Sequence, residues 1–330
     1  MLAAVAPDGV YLDYALAPFT AYLERPEVTD IYVNHPQELW VETVQGYTER
    51  HEVPSMTAQW LERLSTQVAA LSHQGISRES PLLSATLPGG ARIQIIAPPA
   101  TRGPIAIAIR QHLPLGLGIA DYEATAAFDS VDRFDPHEID GDLAKAKVER
   151  RYGDLLRIAI HARRNILVSG GTSTGKTTFL SALLREIPVD ERLVLIEDTP
   201  ELTTPHKNLV GLVAARSALG EATCTAEDLL NASLRLRPDR IILGELRGPE
   251  AFTFLRAVNT GHPGSMTTIH ADSTDGAVEQ LALLVLHTGT QLSRSDIVHY
   301  VRSTVDVYVQ LGRSGGRRFV SAIELKCRHG

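Results

Sequence analysis

Residues 170–178 are Gly170, Gly171, Thr172, Ser173, Thr174, Gly175, Lys176, Thr177 and Thr178, and they contain the spacing G-x-x-x-x-G-K-[ST] between an apolar run and a helical one. In that setting glycines let the backbone curl until successive N–H groups and the start of the next helix face a polyphosphate. The Lys176 ammonium can meet the β- and γ-phosphates, and the Thr177 hydroxyl can enter the shell of a magnesium ion. The pattern predicts a site for a nucleoside triphosphate and Mg2+, with residues 170–178 around the phosphates and Thr177 as the metal ligand.

Turnover asks for more: an acidic side chain at the end of a neighbouring strand, where the metal and the attacking water are held. Residues 241–245, IILGE, form an apolar run that ends in Glu245, with Gly244 opening room at the tip. Glu245 can orient or deprotonate the water; the alternative is a charge that serves the N-terminus of a helix beginning near Pro249. A second apolar run, 193–197, ends in Glu197, with Asp198 and Glu201 close behind. His262 and His270 flank a short strand-like stretch, and their separation is not that of the common helical zinc motifs. His270 can touch the γ-phosphate region or relay its presence to a neighbour, or it can be a satisfied structural histidine. The same alternatives stand for His262.

Residues 225–228, TAED, resemble a capping box with Asp228 where Glu or Gln is usual. They open a helix whose exit is crowded by Arg235, Arg237 and Arg240. Those arginines suit either charge neutralisation across a subunit boundary or simple placement near a helix C-terminus. Arg92 and Arg110 lie in strand-like segments 91–97 and 104–111, where Ile93, Ile95, Ile105, Ile107 and Ile109 mark the buried face. Alternation sends both arginines to the opposite face. On pattern alone they are solvent-facing, and they reach a nucleotide only if two domains clasp it.

These residues need a scaffold. From residue 152 onward, helical and strand-like segments alternate: a helix to about 163, strands at 165–169, 193–197, 241–243 and 266–269, and a helix at 176–186. Such alternation implies a mainly parallel sheet covered by helices. Segments 305–311 and 318–325, joined by a Gly-rich turn, suit an antiparallel edge pair. The first third holds strand-like stretches at 29–34 and 39–44, then a helix within 56–74 with Leu61, Leu64, Val68 and Leu71 at helical spacing. The expected architecture is α/β: a phosphate-loop domain with a mainly parallel, helix-covered sheet at 151–330, a smaller α+β N-terminal domain at 1–115, and between them a polar stretch, 116–150, that suits a solvated linker with a short helix.

Length and composition agree with that plan. The 330 residues, 44% hydrophobic and 22% charged, can bury two cores. No run approaches the roughly 18 apolar residues of a membrane span, and the first residues lack a signal-peptide pattern, so the cytosol is the expected location. Only Cys224 and Cys327 are present, too few for a four-thiolate zinc site. A net charge of −7 argues against an outer surface devoted to gripping nucleic acid, while leaving room for a locally basic pore.

Four ordered motifs carry a resemblance. GGTSTGKTT at 170–178, LIEDTPEL at 195–202, LRLRPDRIILGELRG at 234–248 and GHPGSMTTIH at 261–270 resemble the hexameric traffic ATPases of type IV secretion, relatives of the type II secretion and type IV pilus motors. The resemblance implies a RecA-like phosphate-loop motor domain with a smaller α+β N-terminal domain, ATP held between the two, and a homo-hexameric ring peripheral to the cytoplasmic face of the inner membrane, working with secretion channel and coupling proteins. It makes Lys176 and Thr177 phosphate and Mg2+ ligands, Glu245 the catalytic carboxylate and Glu197 a supporting one, and it moves Arg92 and Arg110 from solvent to the nucleotide. The strand before Glu245 lacks the aspartate usual in other phosphate-loop enzymes, which leaves Mg2+ to Thr177 and waters. Alternatives are a type IV pilus extension or retraction motor, a DNA-translocating ATPase with nucleic acid as cargo, and a nucleotide-gated scaffold. The linker length raises a further expectation, that one subunit's first domain sits over its neighbour's second.

Overall fold

The computed structural model describes residues 10–113, 118–124, 128–129, 136–215 and 223–326. Cys327 and parts of the expected linker lie outside the described residues.

Among the described residues the N-terminal part is one antiparallel sheet with two helices. Helix α1 (Val10–Leu23) precedes β1 (Val28–Val33), β2 (Glu38–Thr43) and β3 (Thr48–Glu52). Helix α2 (Ala58–Leu71), capped by the Thr57 side chain, leads to β4 (Leu82–Thr86), β5 (Arg92–Ile96) and β6 (Ala106–Arg110). The strand order is β3-β2-β1-β6-β5-β4. Period-two alternation divides its faces. Ile31, Val33, Ile93, Ile95, Ile107 and Ile109 meet Phe19 of α1 and Leu61, Leu64 and Val68 of α2 in one core. Tyr32, Ile96, Ala106 and Ala108 point the other way and join a core shared with the second domain. The face that sequence alone assigns to solvent is therefore largely an interdomain face. Helix α1, β3 and β4 have no counterpart in the sequence expectation.

Helices α3 (Ile119–Ala124) and α4 (Pro136–Val148) follow. Leu143 and Ala146 of α4 are buried with Leu155, Ala159 and Ile160 of α5 (Tyr152–His161), so the end of the stretch read as solvated linker packs on the second domain. Ile139, Leu143 and Ala146 supply the apolar stripe at helical spacing.

The second sheet has the order β13-β12-β7-β11-β10-β8-β9. Its members are β7 (Ile166–Gly170), β8 (Leu193–Glu197), β9 (Leu209–Val213), β10 (Arg240–Leu246), β11 (Met266–Ile269), β12 (Val307–Ser314) and β13 (Arg317–Leu325). All pairings are parallel except that of β12 with β13, the edge pair that the sequence predicts. Helix α6 (Lys176–Leu184) and α4 and α5 contribute to the core on one face. Helices α7 (Ala226–Ser233), α8 (Glu250–Asn259), α9 (Thr274–Leu286) and α10 (Arg294–Thr304) contribute to the core on the other. The Thr225–Asp228 capping box is present in both directions, with N–H to side-chain distances of 3.1 and 2.9 Å. Among the described residues no helix is long and apolar enough to cross a membrane.

The two sheets are joined by buried polar contacts. Arg192, fully enclosed, donates to Asn34 at 2.8 Å and to the Leu236 carbonyl at 2.8 Å, and its guanidinium lies 4.0 Å from the centre of the Tyr32 ring. Arg237 meets Glu42 at 2.7 Å. Such groups are stabilising when each polar atom has a partner, and removing one member leaves the rest unsatisfied.

Candidate active site

Parallel strands bring the chemistry-bearing residues to one end of the sheet, because β7, β8, β10 and β11 all run the same way and each ends in the segment that matters. From β7 the chain enters the glycine-rich loop. Ser173 at φ 62° and Gly175 at φ 90° adopt left-handed conformations that turn the loop back on itself. Thr174 closes it by donating to the Gly171 carbonyl at 2.8 Å. Lys176 then opens α6. Thr172, Ser173 and Thr178 are exposed, whereas Lys176 is buried and Thr177, half-buried, lines a cleft of about 300 Å³.

Lys176 Nζ donates to the Gly170 carbonyl at 3.1 Å and lies 3.6 Å from Glu245 Oε1. Burial lowers its pKa, against the opposing pull of the Glu245 charge. His270, at the end of β11, places Nε2 2.8 Å from the same Glu245 oxygen. On the other side Arg247 donates to Glu245 Oε2 at 2.7 Å and to Asp198 at 3.0 Å. The start of α8 is served by another residue: Glu250 accepts from the N–H groups of Arg247 and Gly248 at 2.7 and 2.8 Å. Glu245 is thus directed to the phosphate loop and not to that helix.

Glu197, at the tip of β8, is buried and accepts the N–H groups of Glu201 and Leu202 at 2.9 and 2.8 Å. A Cβ at Gly244 would stand 3.1 Å from Glu197 Cγ, so the absence of a side chain there lets β8 and β10 end side by side. Glu197 also forms an ion pair with Arg102 of the N-terminal domain. The cleft walls carry Thr177, Glu197, Asp198, Glu201, Glu245 and Arg247.

Other sequence candidates lie elsewhere in the chain. Arg92 and Arg110 face each other across β5 and β6, and with Gln74 and Arg235 they line a separate cleft of about 580 Å³. Arg110 lies 3.8 Å from Asp30, whose pKa burial raises against the opposing pull of Arg110. Arg240 is buried and grips Glu191 through two bonds of 2.7 and 2.8 Å, and His262 faces the Pro238 carbonyl at 3.0 Å with its pKa lowered by burial. Both are structural placements. Three residues near the loop carry no signal in the motifs as read. Arg102 pairs with Glu197, Arg247 with Glu245, and Arg318 of β13 donates to the Ser173 carbonyl at 3.1 Å. Arg247 stands two places beyond Glu245, within reach of a closer reading; Arg102 and Arg318 come from distant parts of the chain.

The loop's left-handed turns, the helix start at Lys176, and the adjacent hydroxyl and carboxylates fit a nucleotide triphosphate with its magnesium ion. The fold and site define a RecA-like phosphate-loop motor domain joined to a smaller α+β N-terminal domain. The family model described as Type II/IV secretion system protein matches residues 14–313, and the chain belongs to that family. It is 37% identical over 324 residues to the type IV secretion system protein VirB11 of Bartonella henselae, covering 93% of this chain and 91% of that protein. It is 37% identical over 322 residues to the type IV secretion system protein PtlH of Bordetella pertussis, covering 94% of each. The crystal structure of the VirB11 ATPase from the Brucella suis type IV secretion system, in complex with sulphate, matches with a TM-score of 0.89 and 36% identity, over 96% of this chain and 95% of that one.

Proposed function

We propose that this chain is an ATP-hydrolysing motor subunit of a type IV secretion system. The observation that carries the reading is the convergence of Lys176 and His270 on one carboxylate oxygen of Glu245 beside the phosphate loop. Residues 170–178 bind the phosphates through backbone N–H groups, and Lys176 leaves its loop carbonyl to neutralise the β- and γ-phosphates. Thr177 would hold Mg2+, which would supply further charge neutralisation on the phosphate oxygens. A water oxygen bonds to the γ-phosphorus as the bond to the β,γ-bridging oxygen breaks, giving ADP and phosphate; Glu245 accepts the water proton, and His270 steadies that carboxylate.

The working unit in this reading is a homo-hexamer peripheral to the cytoplasmic face of the inner membrane, docked on channel and coupling proteins. Arg92 and Arg110 complete the site from a neighbouring subunit, because in their own chain they line a different cleft from the phosphate loop. Cargo, protein or DNA, passes through the machine that the ring drives. Steady-state Mg-ATP turnover per subunit, measured against protein concentration beside Lys176→Ala, tests this reading. Specific activity that rises with concentration and vanishes in the variant is the expected result; absence of turnover at every concentration overturns it.

A further inference from the structure

Arg102, from the N-terminal domain, reaches the acidic end of β8. Its backbone is fixed first. Thr101 forms an antiparallel bridge with Leu212, the Val213 N–H donates to the Ala100 carbonyl at 2.9 Å, and the Arg102 N–H donates to the Gly211 carbonyl at 2.8 Å. The loop after β5 thus extends the outer edge of the motor sheet along β9. The side chain then crosses β9 at Gly211, where a Cβ would come within 2.4 Å of Arg102 Cδ and 2.8 Å of Cγ. A glycine inside a strand weakens it and marks a place where another segment passes closely. Beyond that groove Arg102 donates to the Leu202 carbonyl at 3.0 Å and pairs with Glu197.

Glu197 is held from two directions by parts that belong to different domains. The turn of Glu201 and Leu202 supplies N–H groups from the motor domain, and Arg102 supplies the positive charge from the N-terminal domain. A buried carboxylate stripped of its cation is costly and either takes up a proton or swings toward water. We propose that Arg102 is a positioning residue for the acidic box, coupling the docking of a subunit's own N-terminal domain on β9 to the orientation of Glu197 beside the nucleotide. The N-terminal domain then acts twice: through Arg102 on its own motor domain, and through Arg92 and Arg110 on the neighbour's. This inference rests on the ATPase reading for its kinetic consequence and on the geometry alone for its structural one.

The test compares the full chain with Arg102→Ala, Arg102→Lys, Gly211→Ala, Glu197→Gln and the double variant Arg102→Ala/Glu197→Gln, measuring kcat and KM for Mg-ATP and the Kd of a fluorescent ADP analogue. Arg102→Ala is expected to lower kcat by about 10- to 100-fold with ADP affinity retained. Gly211→Ala displaces the same side chain and does likewise, Arg102→Lys keeps part of the rate, and the double variant is no slower than the worse single one. Multiplying effects in the double variant, or wild-type kcat in Arg102→Ala, overturn the proposal. A second readout is independent of turnover: amide hydrogen exchange at Glu201 and Leu202 is expected to quicken in Arg102→Ala while β5 and β6 stay protected. Unchanged protection at those amides overturns the coupling even if the wild type proves inactive, whereas an inactive wild type with quickened exchange in the variant sinks only the ATPase reading.

Discussion

His270 Nε2 lies 2.8 Å from Glu245 Oε1, the oxygen that also stands 3.6 Å from the Lys176 ammonium. One carboxylate thus reports on both the phosphate loop and the end of β11. In the reaction we propose, Lys176 turns to phosphate while His270 continues to hold Glu245, with Arg247 on its other oxygen.

That relationship gives the first prediction. Glu245→Gln is expected to lower kcat by about 10²- to 10⁴-fold, the range general-base catalysis contributes, with nucleotide affinity retained. His270→Asn is expected to cost less, because Arg247 still orients the carboxylate. Single-turnover kinetics beside equilibrium nucleotide binding separate the two; a Glu245→Gln protein with full turnover removes Glu245 from the chemistry.

Gly244→Ala examines the packing that lets the two acidic strands end together. The added Cβ meets Glu197 Cγ at 3.1 Å and the Ile196 carbonyl at 3.5 Å. Overpacking of this kind costs about 1–3 kcal/mol. A lowered urea midpoint is expected, together with reduced turnover, since Glu197 must move. Unchanged stability and rate would mean that the strand ends have slack the distances do not suggest.

The parts legible in sequence were those whose signal is local. The loop at 170–178 sits between β7 and α6 as its glycines and flanking periodicity require, and β8 and β10 end in Glu197 and Glu245 because an apolar run followed by acid marks a buried strand meeting a polar edge. Helix α1 escaped because Pro18 lies inside it and its exposed face carries Tyr11 and Tyr14. Strand β9 escaped because Gly211 interrupts it for a side chain that arrives from another domain. The same cause hid Arg102: nothing in its own loop says that Glu197 is its partner. Arg92 and Arg110 were assigned to a face correctly by alternation, but what that face meets depends on the docking of two domains and, in the ring we propose, of two chains.

Cys224 offers a pH test of the core behind the cleft. Burial pushes its thiol up to about 12 from an ordinary 9.0, with Asp228 adding to the rise. The folded state therefore keeps a proton that the unfolded chain releases above 9.0, and stability contributed by this group is lost as pH rises from there toward about 12. Cys224→Ala is expected to flatten that part of the decline in urea midpoint between pH 9 and pH 11 relative to the parent. Equal slopes would show that the thiol titrates normally.

The shared-site arrangement makes a prediction that a single chain cannot meet. The double variant Arg92→Ala/Arg110→Ala and the variant Lys176→Ala are each expected to be nearly inactive as pure rings. If Arg92 and Arg110 serve a neighbour's phosphate loop, random co-assembly in equal amounts pairs an intact loop with an intact arginine pair at roughly a quarter of the junctions. Mixed and reassembled rings should then recover activity toward that fraction, and dilution that dissociates the rings should abolish it. If instead each chain completes its own site, every site in the mixture carries one defect or the other, and no mixing ratio restores turnover. The separate clefts that hold Arg235 with Arg92 and Arg110, and Thr177 with Glu245, favour the first outcome.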